Sequence, residues 1–264
     1  MLKKIFLAVS VVVFLIASSA PISALPLIDV SVGARYWGAA PSGDMSYKGE
    51  SLDLDDNLGF DREWSPNAYA RAQLPFIAVD AHFTQLDYSG KLKDYSQLGG
   101  SGDEFGDIDF DDVADASTDA TINLLHAGAM FSLPIPMFDL GVGVGADYID
   151  AEASIDPSLK AGVTSQPNNT KGTGSATLPV AKGYFQFSPP VLDMNVSLAG
   201  EGVTYSGNTF YDARAKLGYV LEGFFVGDIQ LEGGYRIISV DYDEEDLTLD
   251  STFSGPFLGA SLNF

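Results

Sequence analysis

His82 and His126 are the only 2 histidines in the chain, and imidazole is the side chain best suited to acid–base work or metal ligation near neutral pH. His82 shares alternation parity with Asp80 and Thr84, and His126 shares it with Ser132. A histidine beside a carboxylate or hydroxyl is the minimum for general-base or nucleophilic chemistry, and two imidazoles in one place can hold a metal. No Gly-x-Ser-x-Gly, His-Glu-x-x-His or phosphate-loop pattern accompanies them. The expectation is therefore polar packing of His82 and His126 in an interior, with catalysis or metal binding as the rival.

The second chemical signal is carboxylate. Acidic residues crowd three stretches, 43–63, 94–119 and 241–250. Clustered hard oxygens can hold Ca²⁺ or Mg²⁺. Asp107, Asp109 and Asp111 imitate the first ligands of a calcium loop, but Asp112 stands where the turning glycine belongs. No spacing closes a cage, so the expectation is weak, diffuse cation binding and no resident cofactor.

The elements that would position these groups are strands. Runs of alternating polarity cover 28–37, 67–74, 76–88, 121–133, 138–149, 178–187, 192–204, 210–221, 229–242 and 252–264. Their lengths suit tilted strands that cross a bilayer, which need roughly 9 to 11 residues. Short connections at Pro75, Pro134–Pro136 and Ser188-Pro189-Pro190 alternate with mostly long acidic ones. That is the asymmetry of short periplasmic turns and longer external loops. His82 lies seven residues after Pro75 and His126 eight before Pro134, so the two should sit at one height.

Register follows from cost. A lysine or arginine facing lipid near the midplane costs roughly 2 to 4 kcal/mol. Tyr211-Asp212-Ala213-Arg214-Ala215-Lys216 carries its charges on one parity, which must then face the lumen. The same argument turns Arg35, Arg71, Asp80, Lys182, Asp193, Glu232 and Arg236 inward. A charge inside a narrow barrel must be paired, so these should form a network that plugs the bore. Aromatics sort by end: Tyr36, Tyr88, Tyr148, Tyr205, Tyr211 and Tyr242 fall near external ends, with Phe76, Phe131 and Phe138 among those near periplasmic ends.

Both termini agree with export. Lys3 and Lys4 precede an apolar run over 5–16 and small residues to Ala24, which reads as a Sec signal peptide over 1–24. Residues 25–264 then form one barrel domain. Without Lys3 and Lys4, 12 basic residues face 36 acidic ones, a charge of −24 that argues against nucleic acid as a partner. The absence of cysteine means that no disulfide is needed in an oxidising periplasm.

Gly259, Leu262 and the terminal Phe264 resemble the C-terminal assembly signal of bacterial outer-membrane barrels, which implies recognition by the barrel assembly machinery. Phe257 departs from that signal, which usually carries a polar residue there. Arg35-Tyr36-Trp37, Pro41-Ser42-Gly43-Asp44, Tyr47-Lys48-Gly49 and Leu52-Asp53-Leu54-Asp55-Asp56-Asn57-Leu58-Gly59-Phe60 resemble the opening of a bacterial outer-membrane protein family marked by a Gly-Gly motif near the C-terminus. Here that motif is Gly233-Gly234. The resemblance implies fold and location and brings no assigned activity. Strand curvature is the expected use of the glycine pair.

The reading is an all-β, transmembrane, antiparallel up-and-down barrel of about ten strands, with eight as the alternative. It is expected in the outer membrane of a Gram-negative bacterium, in contact with lipid and lipopolysaccharide. The expected role is structural, or interaction through acidic external loops. An outer-membrane enzyme acting on lipid or peptide and a narrow diffusion pore are the rivals.

Overall fold

In the computed structural model, the chain is described over 28–47, 50–92, 104–105, 108–109, 113–159, 170–224, 227–244 and 247–264. The strands are β1 (Asp29–Tyr47), β2 (Glu50–Asp53), β3 (Glu63–Gln73), β4 (Ile77–Lys91), β5 (Glu104–Phe105), β6 (Ile108–Asp109), β7 (Val113–Ile135), β8 (Phe138–Leu159), β9 (Thr170–Phe187), β10 (Met194–Tyr205), β11 (Asn208–Phe224), β12 (Gly227–Glu244) and β13 (Leu247–Asn263). Every ladder is antiparallel, and each long strand pairs with its neighbours in chain order. β13 returns to β1, from Ser31↔Asn263 to Tyr47↔Leu247. The result is a closed up-and-down barrel of 10 strands: β1, β3, β4 and β7 to β13. Closure removes the unpaired edges that an open sheet would expose.

Tight turns gather at one end, here called the turn end, together with the start of β1 and the end of β13. Leu74 N–H donates to Ile77 C=O at 2.7 Å, closing the short turn that separates β3 from β4. Met137 takes φ 72° in the β7–β8 turn. At the opposite, loop end, Ser206 and Gly207 have φ 54° and 93°. Two positive φ values are what a two-residue hairpin with the strands' natural twist requires.

Several strands run further toward the loop end than the alternation indicates. β1 reaches Tyr47 rather than 37, β7 begins at Val113 rather than 121, β8 ends at Leu159 rather than 149, and β9 begins at Thr170 rather than 178. β3 likewise begins at Glu63, so Trp64, placed in a loop by the sequence, stacks outside the barrel on Tyr36 at 5.6 Å.

The parity of nearly every lumen residue is as expected. Outward positions carry an apolar band that includes Val142, Val144, Leu198 and Leu258, at 68, 69, 51 and 67 % exposure. Asp193 lies just before β10, exposed at the turn end, and its C=O accepts from Val220 N–H at 2.7 Å, which continues the β10–β11 register. Tyr88 is a correction. It lies on the lumen parity of β4, only 2 % exposed, so it packs the interior and takes no part in an outer girdle.

The bore has three storeys. Toward the loop end it is filled by an apolar cluster that includes Trp37, Leu86, Tyr88, Phe210, Ile238 and Phe253. The segment between β2 and β3 folds inward to complete it. Asp53 Oδ1 accepts from the backbone N–H of Asp55 and Asp56, at 2.8 and 2.6 Å, and so caps a tight turn. That turn inserts Leu54, Leu58 and Phe60 into the cluster. Gly90 makes room for it, since a Cβ there would meet Leu58 O at 2.2 Å. Below the cluster lies a belt of ionised groups. Below that, toward the turn end, lies a polar chamber of about 460 Å³ whose rim includes Asp29, Gln73, Asp228 and Asn263.

Candidate functional site

The site is the ionised belt. The pairing of β4 with β7 sets His82 directly opposite His126, and the pairing of β7 with β8 sets His126 opposite Asp147. The two imidazoles stack with centroids 4.7 Å apart and planes 14° apart. Continuing around the wall from β8, β9, β10 and β11 place Lys182 opposite Glu201 and Glu201 opposite Asp212. Barrel curvature brings these two groups of strands together, so residues remote in sequence meet at one level.

His126 is held from both sides. Its Nδ1 lies 2.7 Å from Asp147 Oδ1, and its Nε2 lies 2.7 Å from Lys182 Nζ. An ammonium has no lone pair, so Nε2 is the acceptor and Nδ1–H donates to Asp147. The tautomer follows from these partners. Glu201 Oε2 is 3.3 Å from the same Nε2, and Glu201 Oε1 is 3.4 Å from His82 Nε2. Lys182 also donates to Asp80 Oδ1 and Oδ2, at 2.9 and 2.7 Å.

Glycines make this packing geometrically feasible. A Cβ at Gly128 would lie 2.8 Å from both His126 Nε2 and Lys182 Nζ, and one at Gly145 would lie 2.6 Å from His126 Cε1. Gly128 and its cross-strand partner Gly145 therefore present a smooth patch of lumen wall against which His126 lies, with Lys182 over Gly128.

Arg236 forms the ceiling of the belt. Its Nε and Nη2 grip Asp212 in a two-pronged pair, with Nη2–Oδ2 at 2.6 Å. Its Nη1 donates to Thr84 Oγ1 at 2.8 Å, and its guanidinium lies 4.8 Å from the Trp37 ring. That ring is where the charged belt gives way to the apolar cluster. Arg214 stands opposite Arg236 in register, and Asp212 separates the two like charges. Arg214 reaches Glu201 and Asp212 only at 3.9 and 4.0 Å.

Two further ion clusters lie nearer the turn end. Glu232 accepts from Arg35 Nε at 2.7 Å and lies 3.2 Å from Lys216 Nζ. Arg71 pairs with Asp139 at 3.2 Å, and Ser132 donates its hydroxyl to Asp139. Ser132, the hydroxyl on His126's strand, is thus committed elsewhere. Phe257 points inward, which accounts for its departure from the C-terminal assembly pattern. It sits opposite Gly234, where a Cβ would meet its ring at 2.7 Å. Both ladders run unbroken past Gly233-Gly234, and the use seen for Gly234 is close ring approach.

Of the sequence candidates, the structure brings His82 and His126 together, with Asp80 and Thr84 in the same network. Asp107 and Asp111 lie outside the described residues, as does the side chain of Asp109. Sequence reasoning passed over Asp147 and Glu201. Asp147 had a readable signal: with Asp139 it brackets the glycine-lined lumen parity of β8 at 141, 143 and 145.

No protein-family model matches the chain, and no curated protein matches it. Among solved structures, the outer-membrane protease OmpT from Escherichia coli is similar at 11 % identity over 90 % of this chain and 97 % of its own, with a TM-score of 0.44. Ail, the attachment invasion locus protein of Yersinia pestis, in complex with the heparin analogue sucrose octasulfate, is similar at 13 % identity over 90 % and 99 %, with a TM-score of 0.38. A major outer membrane protein from Thermus thermophilus gives 12 % identity over 90 % and 99 %, with a TM-score of 0.35. Each is a distant likeness, and the closed barrel stands on its own strand pairing.

Proposed function

We propose that the chain is an integral barrel of the bacterial outer membrane whose bore is sealed and whose work is done at its ends. The observation that carries this reading is the apolar cluster at the loop end. Trp37, Leu86, Tyr88 and Ile238 are each at most 2 % exposed, and Leu54, Leu58 and Phe60 close over them. A conducting barrel keeps a continuous wet path; this arrangement packs half the bore as a protein core.

The apolar band on the outer face supports this location, since it would be untenable in water and suits lipid. The signal peptide over 1–24 would direct export, and Phe264 would engage the assembly machinery. The turn end would face the periplasm. The acidic loops would face outward, meeting lipopolysaccharide through weakly held Ca²⁺ or Mg²⁺.

An enzyme acting on lipid or peptide finds less support. Lys182 occupies the imidazole nitrogen that would serve as base, and Ser132 is bound to Asp139.

Planar-bilayer recording on the purified full-length protein tests the seal. The expected outcome is no steady conductance; persistent ohmic channels from the folded form would refute it. Single cysteines at Ser101 and Ser165 should react with an impermeant thiol reagent on intact cells, and one at Ile135 should not. The opposite labelling pattern would invert the orientation.

A further inference from the structure

We propose that the belt is a divalent transition-metal site, built from His82, His126 and Glu201 and oriented by Asp147, in which Lys182 is the exchangeable occupant of the cation position.

Four observations support it. The potential ligand atoms of His82, His126, Asp147 and Glu201 all lie within 4.8 Å of one another, and all four residues are buried. Two of their separations, one from each imidazole to a different oxygen of Glu201, fall in the range that a tetrahedral ion sets. Bonds of roughly 2.0–2.2 Å place ligands about 3.3–3.6 Å apart, by tetrahedral geometry. The pairs His126 Nε2–Glu201 Oε2 and His82 Nε2–Glu201 Oε1 measure 3.3 and 3.4 Å.

Asp147 already does what an outer-shell carboxylate does for a metal-bound histidine. It accepts Nδ1–H, which turns the Nε2 lone pair toward the cation position. Asp147 Oδ2 and Glu201 Oε1 are buried acceptors without a hydrogen-bond donor. Buried carboxylate oxygens are normally satisfied, and a cation would satisfy Glu201 directly.

Charge makes the third argument. The ion pairs join nine residues into one network. Counted in their ordinary ionised forms, Asp80, Asp147, Glu201 and Asp212 bring four negative charges and Lys182, Arg214 and Arg236 three positive ones, with each imidazole counted in the neutral form that ligates a metal. The network is thus one negative charge in excess. A dication in place of the Lys182 ammonium cancels that excess once Lys182 has withdrawn into the chamber.

The fourth concerns position. Lys182 Nζ contacts His126 Nε2, Asp80 and Glu201 Oε2, so it sits where an ion would meet the same donors. His82, Glu201 and Lys182 all line the turn-end chamber, which supplies an entry path and room for Lys182 to leave. Binding would require the His82 ring to tilt from its parallel stack toward the chamber it lines, so that both Nε2 atoms converge on one ion. Two imidazoles with a carboxylate favour zinc-class ions over Ca²⁺ or Mg²⁺.

The test uses the folded full-length protein in detergent, with Zn²⁺ titrated calorimetrically and Co²⁺ as a spectroscopic probe. The expected result is one saturable Zn²⁺ site, a tetrahedral Co²⁺ visible spectrum, and loss of both in H82Q and in H126Q. K182M should bind Zn²⁺ at least tenfold more tightly. E201Q keeps the side chain's shape and should also lose the site, so it carries the test if either histidine variant fails to give the heat-modifiable folded form. Wild type without a saturable site overturns the proposal. So does a site that survives the ligand substitutions, since such ions sit on the external acidic loops. A K182M variant no tighter than wild type overturns the exchange. Conductance plays no part in these readouts, so failure here leaves the sealed-bore reading standing on its own test.

Discussion

The loop-end and turn-end halves of the bore are enclosed by the same ten strands, yet they are different materials. The loop-end half is packed around Trp37, Tyr88 and Phe253 as a soluble domain packs its core. The turn-end half is hollow, lined by Arg71, Asp139, Lys216 and Tyr184 around about 460 Å³. The wall does not impose this difference, because both halves keep the same alternation. The lumen parity of each strand changes character along its length: β4 runs Asp80, His82, Thr84, Leu86, Tyr88 from the chamber to the seal. A barrel can therefore be closed by one half and leave the other free to hold ligands.

The largest effect that can break this comparison is at Trp37. Its ring is 1 % exposed, its Nε1–H donates to Gly255 C=O at 3.1 Å, and Arg236 lies over it. Trp37→Ala should cost about 3–5 kcal/mol, the range for emptying a large aromatic site in a core. The urea midpoint of the heat-modifiable form reads it. A loss near zero would mean that the loop-end half is not a packed core.

The intermediate effect concerns the belt. Gly145→Val forces a side chain into the His126 ring and should cost about 1–3 kcal/mol by overpacking. Gly172→Val is the control, because nothing lies within 4 Å of a Cβ there. Equal behaviour of the two variants would remove the glycine wall from the account of how His126 is held.

How much of this was legible in the sequence follows from where the chain meets lipid. Within the bilayer, one face of each strand must be apolar, so parity and most inward charges could be read. Asp193 keeps the lumen parity of β10 but precedes the strand, which begins at Met194. The extensions of β1, β7, β8 and β9 were missed because the apolar-out pattern ends there: on β7 and β8 the outward residues turn polar, as at Ser117, Asp119, Asp150 and Glu152, while inward ones pack on the apolar cluster. Tyr88 was misread for a related reason: a tyrosine near a strand end fits a girdle and a seal equally well. The level of His82 and His126 was legible by counting from Pro75 and Pro134. Their meeting with Glu201 and Lys182 was not, because it depends on how far the consecutive strands β4, β7, β8, β9 and β10 curve around the bore, which alternation does not encode.

The smallest effect sharpens the contrast most cleanly. Arg71 and Asp139 form an ion pair at 3.2 Å, much as Arg236 and Asp212 do at 2.6 Å, but the side-chain exposures are 19 and 25 % in the first and 3 and 2 % in the second. In the hollow half, water can solvate Asp139 once its partner is gone, and Ser132 still donates to it. Arg71→Met should therefore cost about 0–1 kcal/mol, as solvent-accessible pairs do. The matching Arg236→Met would strand Asp212 without water and should cost about 3–5 kcal/mol. The informative quantity is the difference between the two, measured in the same urea titration. If Arg71→Met is as damaging as Arg236→Met, the chamber is dry, and the two halves of the bore are electrostatically alike.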